Sequence, residues 1–141
     1  MRTRLLPQSF ALLVAAAVAV TACGPKKASG ANAVKVTNID LGRSLKPDLT
    51  ISDKTTTFHP NDAIYAVVET KGSGPTTLAT RWTYQDGQVV HEDSRTISPN
   101  GDQPVRTEFH ISKPEGWPAG KYQVVVMVNG TTADTKDFEV K

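Results

Sequence analysis

Few side chains in this 141-residue chain are of types that do chemistry, and their spacing keeps most of them apart. Cys23 is the single cysteine, which excludes an internal disulfide framework and a multi-cysteine zinc site. The three histidines, His59, His91 and His110, fall in different segments. Only His91-Glu92-Asp93 sets metal-capable groups side by side. Consecutive strand residues point to opposite faces, so His91 and Asp93 can share a ligand that Glu92 cannot easily reach, and a solvated hairpin edge is the better reading. Asp86, Glu92 and Asp93 are near enough in sequence for paired acid–base work, but nothing around them marks a cleft that would shift their protonation. Trp117, in Gly116-Trp117-Pro118, is either a loop aromatic on which a ligand stacks or a cap on the end of a core, and the cap is the commoner role. Phosphate-binding glycine loops, the GxSxG elbow, HExxH and calcium loops are all missing. No catalytic residue, metal site or cofactor follows, and the chain is expected not to be an enzyme.

The formal charge of +2 is not a binding face either. Arg2 and Arg4 precede an apolar run, every acidic residue lies at or beyond Asp40, and residues 23–141 carry 14 basic against 14 acidic side chains. A nucleic-acid partner is not expected. Arg2 and Arg4 with the eleven apolar residues FALLVAAAVAV (10–20) have the pattern of a secretory leader. At ~1.5 Å per residue, even residues 10–22 reach only about 20 Å, short of the ~30 Å of bilayer hydrocarbon.

The leader ends in Val20-Thr21-Ala22-Cys23-Gly24, which resembles the lipobox of bacterial lipoproteins. The resemblance implies cleavage between Ala22 and Cys23, with a diacylglycerol thioether on the Cys23 thiol and acylation, commonly with palmitate, of the new amino terminus. The implied domains are a signal peptide (1–22), a flexible linker beginning at lipidated Cys23 (23–33) and one folded domain (34–141). Cofactors are expected to be none, the lipid on Cys23 being covalent. Two or three acyl chains, at ~0.8 kcal/mol per buried CH₂, hold a domain on a membrane where one chain binds only marginally. Gly24 stands where the Gram-negative sorting rule puts an aspartate in proteins kept at the inner membrane, so the implied location in such a host is the outer membrane, facing the periplasm. Residues 24–33, GPKKASGANA, lack large apolar side chains and read as a tether of roughly 35 Å when extended.

From Val34 onward the apolar period is two, and Gly, Pro, Asn and Asp divide the segments, which predicts an all-β domain. Strands are expected at 34–41, 49–52, 63–70, 78–84, 88–92 extending toward 97, 105–112, 122–128 and 134–140. Seven or eight strands in about 110 residues suit a two-sheet antiparallel sandwich. Asp86-Gly87 and Asn129-Gly130 predict two-residue hairpin turns, residues 98–104 a longer turn, and residues 113–120 a crossover. Alternation sets Ile64, Ala66, Val68, Leu78, Thr80, Trp82, Tyr84, Val105, Thr107, Phe109, Ile111, Tyr122, Val124, Val126, Val128, Phe138 and Val140 inward. Arg81, Thr83, Arg106, Glu108, His110, Gln123 and Glu139 then face water.

Thr57-Phe58-His59-Pro60-Asn61-Asp62-Ala63-Ile64-Tyr65, Trp82-Thr83-Tyr84 with Asp86-Gly87, Gly116-Trp117-Pro118-Ala119-Gly120-Lys121-Tyr122-Gln123-Val124 and Phe138-Glu139-Val140 resemble the immunoglobulin-like sandwich domains of bacterial envelope lipoproteins. The resemblance covers most of residues 49–141. It implies that Trp82 is the core tryptophan of the third strand and that the Tyr122 hydroxyl ties a corner to backbone. The bridging cysteines of antibody domains are absent, and the fold is shared by many functions.

Alternation breaks at Val124-Val125-Val126-Met127-Val128, and Tyr65 and Val67 are apolar out of phase with Ile64, Ala66 and Val68. A strand apolar on both faces is covered outside or exposes a patch. Here the segment 34–53 covers it, or Tyr65, Val67, Val125 and Met127 belong to a protein-binding face. The expected function is a lipid-anchored, non-catalytic binding or scaffolding module, partnered by the membrane and an envelope protein. The alternatives are carriage of a small ligand between the sheets or at the Trp117 end, and an accessory part in cell-wall or polysaccharide processing.

Overall fold

The computed structural model describes residues 33–141 and contains eight strands: β1 (Lys35–Gly42), β2 (Thr57–Phe58), β3 (Ile64–Ser73), β4 (Thr76–Tyr84), β5 (Gln88–Ile97), β6 (Asn100–Ile111), β7 (Gly120–Val128) and β8 (Thr131–Val140). They form a three-stranded sheet, β1-β3-β6, and a five-stranded sheet, β2-β8-β7-β4-β5. Every pairing is antiparallel except β2 with β8, which is parallel. The first, second and fifth long strands thus face the third, fourth, sixth and seventh. That is the order of an immunoglobulin-like sandwich, and the chain is an all-β domain of that class. The signal peptide, Ala22, Cys23 and all of the linker but Ala33 lie outside the described residues.

The alternating residues build the core. Ile64, Ala66, Val68, Leu78, Trp82, Phe109, Val124 and Val126 have no exposed surface, and Tyr122, Phe138, Val140 and Ile111 are nearly as buried. Phe138 stacks on Tyr122 at 5.3 Å and meets Trp82 and Phe58 edge-on at 5.9 and 5.6 Å. Each fully buried side chain of this size contributes about 2–3 kcal/mol through lost apolar surface. Trp82 and Tyr122 take the places the resemblance implied. The Trp82 indole N–H reaches Thr80 Oγ1 at 3.2 Å, and the Tyr122 hydroxyl donates to Pro118 O at 2.7 Å.

Four elements differ from the sequence expectation. Residues 49–52 are not a strand: Leu49 has φ 60°, its N–H bonds Lys46 O, and Asp48 Oδ1 accepts from both the N–H and hydroxyl of Thr50. A local side-chain acceptor has outcompeted a ladder there, leaving one bridge between Leu45 and Ile51. The chain crosses between the sheets through this segment and lays down β2, whose Phe58 is wholly buried. Residues 100–104 are strand rather than turn, because β6 is an edge strand, where Pro104 forfeits no ladder bond. The β4–β5 turn has three residues, since Tyr84 pairs with Gln88, and Gln85 and Gly87 take positive φ. Asn129-Gly130 is the expected two-residue turn, with φ 50° and 80° and Val128 paired to Thr131.

Thr83 is also a correction. Expected in water, it is buried on the outer face, where the register sets it between Val89 and Gln123.

Arg43 pins the crossing segment to the sandwich. Its guanidinium bonds Asp62 Oδ2 at 2.8 Å, Thr57 O at 2.7 Å and Asp53 Oδ2 at 3.3 Å. Asp62 also accepts the His59 N–H at 2.8 Å, and that backbone bond, aided by Arg43, holds its carboxyl below the usual carboxylate range.

Candidate functional site

The residues singled out for chemistry do not converge. Glu92 pairs with Arg81 on the outer face of the five-stranded sheet, Asp93 points to the other side, and Asp86 lies in the β4–β5 turn. Among the described residues no three His, Cys, Asp or Glu side chains come together as a metal cluster. His59 sits in the turn before β3, where its backbone N–H, not its ring, is held by Asp62.

The four residues of the expected protein-binding face lie on opposite sides of the molecule. Tyr65 and Val67 point outward from β3, and Val125 and Met127 outward from β7 in the other sheet. A single face is therefore corrected to two. Val67 is 2% exposed. It lies between Asp40 of β1 and Glu108 of β6, in a lattice of ion pairs: Lys54–Asp40 and Arg106–Glu69 at 2.8 Å, and His110 hydrogen-bonded to Glu108 while stacking on Tyr65 at 5.4 Å.

Val125 and Met127 have fewer charged neighbours. Val125 faces Arg81 and Thr135, and Met127 faces Ala79 and Thr132. Both stay half-exposed, and Val89 on the same sheet is 49% exposed. The amino-terminal segment covers neither, because residues 35–42 extend the other sheet as β1. Met127, Ala79, Glu92 and Ser94 line a shallow depression of about 380 Å³ here.

The more enclosed feature is a cleft of about 620 Å³ that the sequence did not reveal as a whole. β5 and β6 are unpaired edges of different sheets, so the flank between them is open. Tyr84, Tyr122 and Trp117 form its aromatic wall, with Gln88 and His91 from β5, His110 and Ser112 from β6 and its end, and Lys113 from the crossover. Tyr84 packs on Tyr122 at 4.6 Å and Trp117 meets Tyr122 edge-on at 6.2 Å. Backbone acceptors fix this wall: Tyr84 Oη donates to Ala119 O at 2.9 Å, and the Trp117 backbone N–H donates to Pro60 O at 2.7 Å. Gly120 permits the approach, since a Cβ there would stand 2.9 Å from the Tyr84 ring, at φ 147°. Burial pushes the Tyr122 hydroxyl up to about 12, with Tyr84 adding to it.

Trp117 itself is 8% exposed and belongs to the core, as a cap on its end. Its Nε1 is buried with no hydrogen-bond partner, and Lys113 Nζ lies 6.0 Å from its ring centroid. No spacing signal in the sequence joins His91, His110 and Lys113, because they meet only where two edges fail to pair.

No protein-family model matches the chain, and no curated protein does. Among solved structures, 81 chains are similar. An immunoglobulin-like protein from Pseudomonas aeruginosa is 18% identical with a TM-score of 0.49, over 79% of this chain and 100% of that one. An alkylpurine DNA glycosylase from Pseudomonas fluorescens, bound to DNA containing an abasic site analog, is 18% identical with a TM-score of 0.49, over 77% of this chain. A beta-glucosidase from Listeria innocua, in complex with isofagomine, is 10% identical, also with a TM-score of 0.49 over 77% of this chain. This chain spans only 30% of the glycosylase and 16% of the glucosidase. At this level of likeness the three name no function.

Proposed function

We propose that this chain is a lipid-anchored protein of the bacterial envelope whose immunoglobulin-like sandwich is a non-catalytic binding module. The carrying observation is the order of parts: Val20-Thr21-Ala22-Cys23 ends the apolar run, a short polar linker follows, and the first strand begins at Lys35. Lipid on Cys23 holds the domain within about 35 Å of the bilayer surface. In a Gram-negative host that surface is the outer membrane, with the domain in the periplasm.

The partner is an envelope protein that docks on the outer face of the five-stranded sheet, where half-exposed Val125 and Met127 support this reading. Near-neutral charge beyond the leader favours protein over nucleic acid. Intact-mass analysis of membrane-extracted protein is expected to find a diacylated or triacylated amino terminus at Cys23. A free thiol there sinks the anchor. Crosslinking in the native envelope is expected to capture a partner that Val125→Glu, folded and monodisperse, no longer retains.

A further inference from the structure

We propose that the cleft between the open edges of β5 and β6 is a binding site for an acidic saccharide, a sugar ring carrying a carboxylate. The inference rests on the reading of the domain as a non-catalytic binding module and names a ligand class for it. The cleft's volume, about 620 Å³, lies within the ~300–1,000 Å³ of small-molecule sites. Its wall is pre-formed, because the rings of Tyr84 and Trp117 are anchored to backbone carbonyls or to neighbouring rings before any ligand arrives. Preorganisation of that kind lowers the entropic cost of binding.

The lining chemistry selects the ligand. Half-buried Tyr84 offers aromatic surface to the apolar C–H face of a ring. Donor-bearing residues surround that surface: Lys113, His91, Gln88 and Ser112 all line the cleft, and no acidic residue does. Lys113 joins no ion pair among the described residues. An unpaired ammonium beside aromatic surface suits a carboxylate, which forms a charge-assisted hydrogen bond. A purely aromatic acid would leave the hydroxyl and imidazole groups unused, and a neutral sugar would leave Lys113 unpaired.

Trp82 is wholly buried, so Trp117 is the tryptophan whose fluorescence responds to the cleft. The full chain in detergent micelles is titrated with glucuronate, glucose and benzoate. Glucuronate is expected to give a saturable change, with glucose about tenfold weaker and benzoate weaker than glucuronate. Lys113→Gln is expected to lower glucuronate affinity about tenfold and leave the glucose response unaltered. Lys71→Gln, the same loss of charge at the end of β3 far from the cleft, serves as the variant that leaves both unchanged. No saturable change, equal affinity for glucose, tighter binding of benzoate, or indifference to Lys113→Gln each overturns the proposal. A protein lipidated at Cys23 but silent to glucuronate overturns the cleft alone. One that binds glucuronate with a free Cys23 thiol overturns the anchor alone.

Discussion

The two outer faces of the sandwich begin from the same irregularity, an apolar residue where alternation asks for a polar one, and end differently. On the three-stranded sheet, Val67 disappears beneath Glu108, Asp40 and the Tyr65–His110 stack. On the five-stranded sheet, Val125 and Met127 stay half-open among Ala79, Arg81, Thr132 and Thr135. The surroundings across the strands differ, not the residue or its own strand: Val67 stands among linked ion pairs drawn from three strands, whereas the one charged neighbour of Val125, Arg81, is turned to Glu92.

The largest effect expected from this contrast comes from one substitution made on each face. Val67→Glu buries a carboxylate between Asp40 and Glu108, two acids, and is expected to cost about 3 kcal/mol or more by denaturant unfolding. Val125→Glu puts the same charge opposite Arg81, and is expected to cost less than about 1 kcal/mol. Equal losses would mean that both faces are covered, and the contrast would fail.

A smaller effect comes from the inner side of β7, the strand that carries Val125 outside. Tyr122→Phe removes the bond to Pro118 O and is expected to cost about 1 kcal/mol. Burial raises the Tyr122 hydroxyl from the ordinary 10.0 to about 12, so the folded state favours the neutral phenol. That contribution is complete below pH 10 and is lost as pH rises toward 12. Tyr122→Phe is expected to flatten stability over that window, and Val125→Glu to leave its slope unchanged. A slope altered by Val125→Glu would couple the two sides of the strand.

The ion pairs give a finer measure of cover. Glu69 and Arg106, with side chains 23% and 37% exposed, belong to the covered face; Glu92 and Arg81, at 54% and 47%, cross the open one. Glu69→Gln is expected to cost about 1 kcal/mol and to lose little of that in high salt, whereas Glu92→Gln is expected to cost less than about 0.5 kcal/mol and to vanish in it. The reverse order would mean that the open face depends on its Arg81–Glu92 pair more than the covered face does on its lattice.

How much of this was legible follows from the range over which each feature is specified. Alternation along 64–68, 78–84 and 122–128 placed the core, because inward residues repeat within one strand. The Asn129-Gly130 turn was equally local, and Asn129 Oδ1 also accepts the Thr77 N–H at 3.0 Å, welding that hairpin to β4. β2 escaped notice because two residues in a parallel pair have no period, although Phe58 lies at the centre of the core. The fate of Val67 was not local either, since Asp40 and Glu108 lie 27 and 41 residues away along the chain. The cleft was hidden for a stronger reason: it is made by two strands that do not pair, and pairing patterns are what a β sequence reveals.

The smallest expected effect on stability tests whether faces, rather than edges, are what this sandwich offers to other proteins. Two strands of the five-stranded sheet leave N–H groups unpaired along an edge: β5 throughout, and β8 before its short pairing with β2. At each edge an aspartate folds back onto the next residue's N–H. Asp93 Oδ1 accepts from Ser94 N and Asp134 Oδ1 from Thr135 N, both at 2.7 Å. An N–H already held by its neighbour's carboxylate cannot add an incoming strand without first giving up that bond, and the carboxylate itself repels the approaching carbonyl oxygen. Asp134→Ala removes one exposed bond, and Asp93→Ala removes one together with a 3.6 Å surface ion pair to Arg95; each is expected to change stability by less than about 0.5 kcal/mol. Their effect should appear instead as concentration-dependent self-association in analytical ultracentrifugation, strongest in the double variant. If the double variant stays monomeric at high concentration, these aspartates are not what guards the edges. If it associates and Val125→Glu abolishes that association, copies meet through the open face, and the division between faces and edges drawn here is wrong.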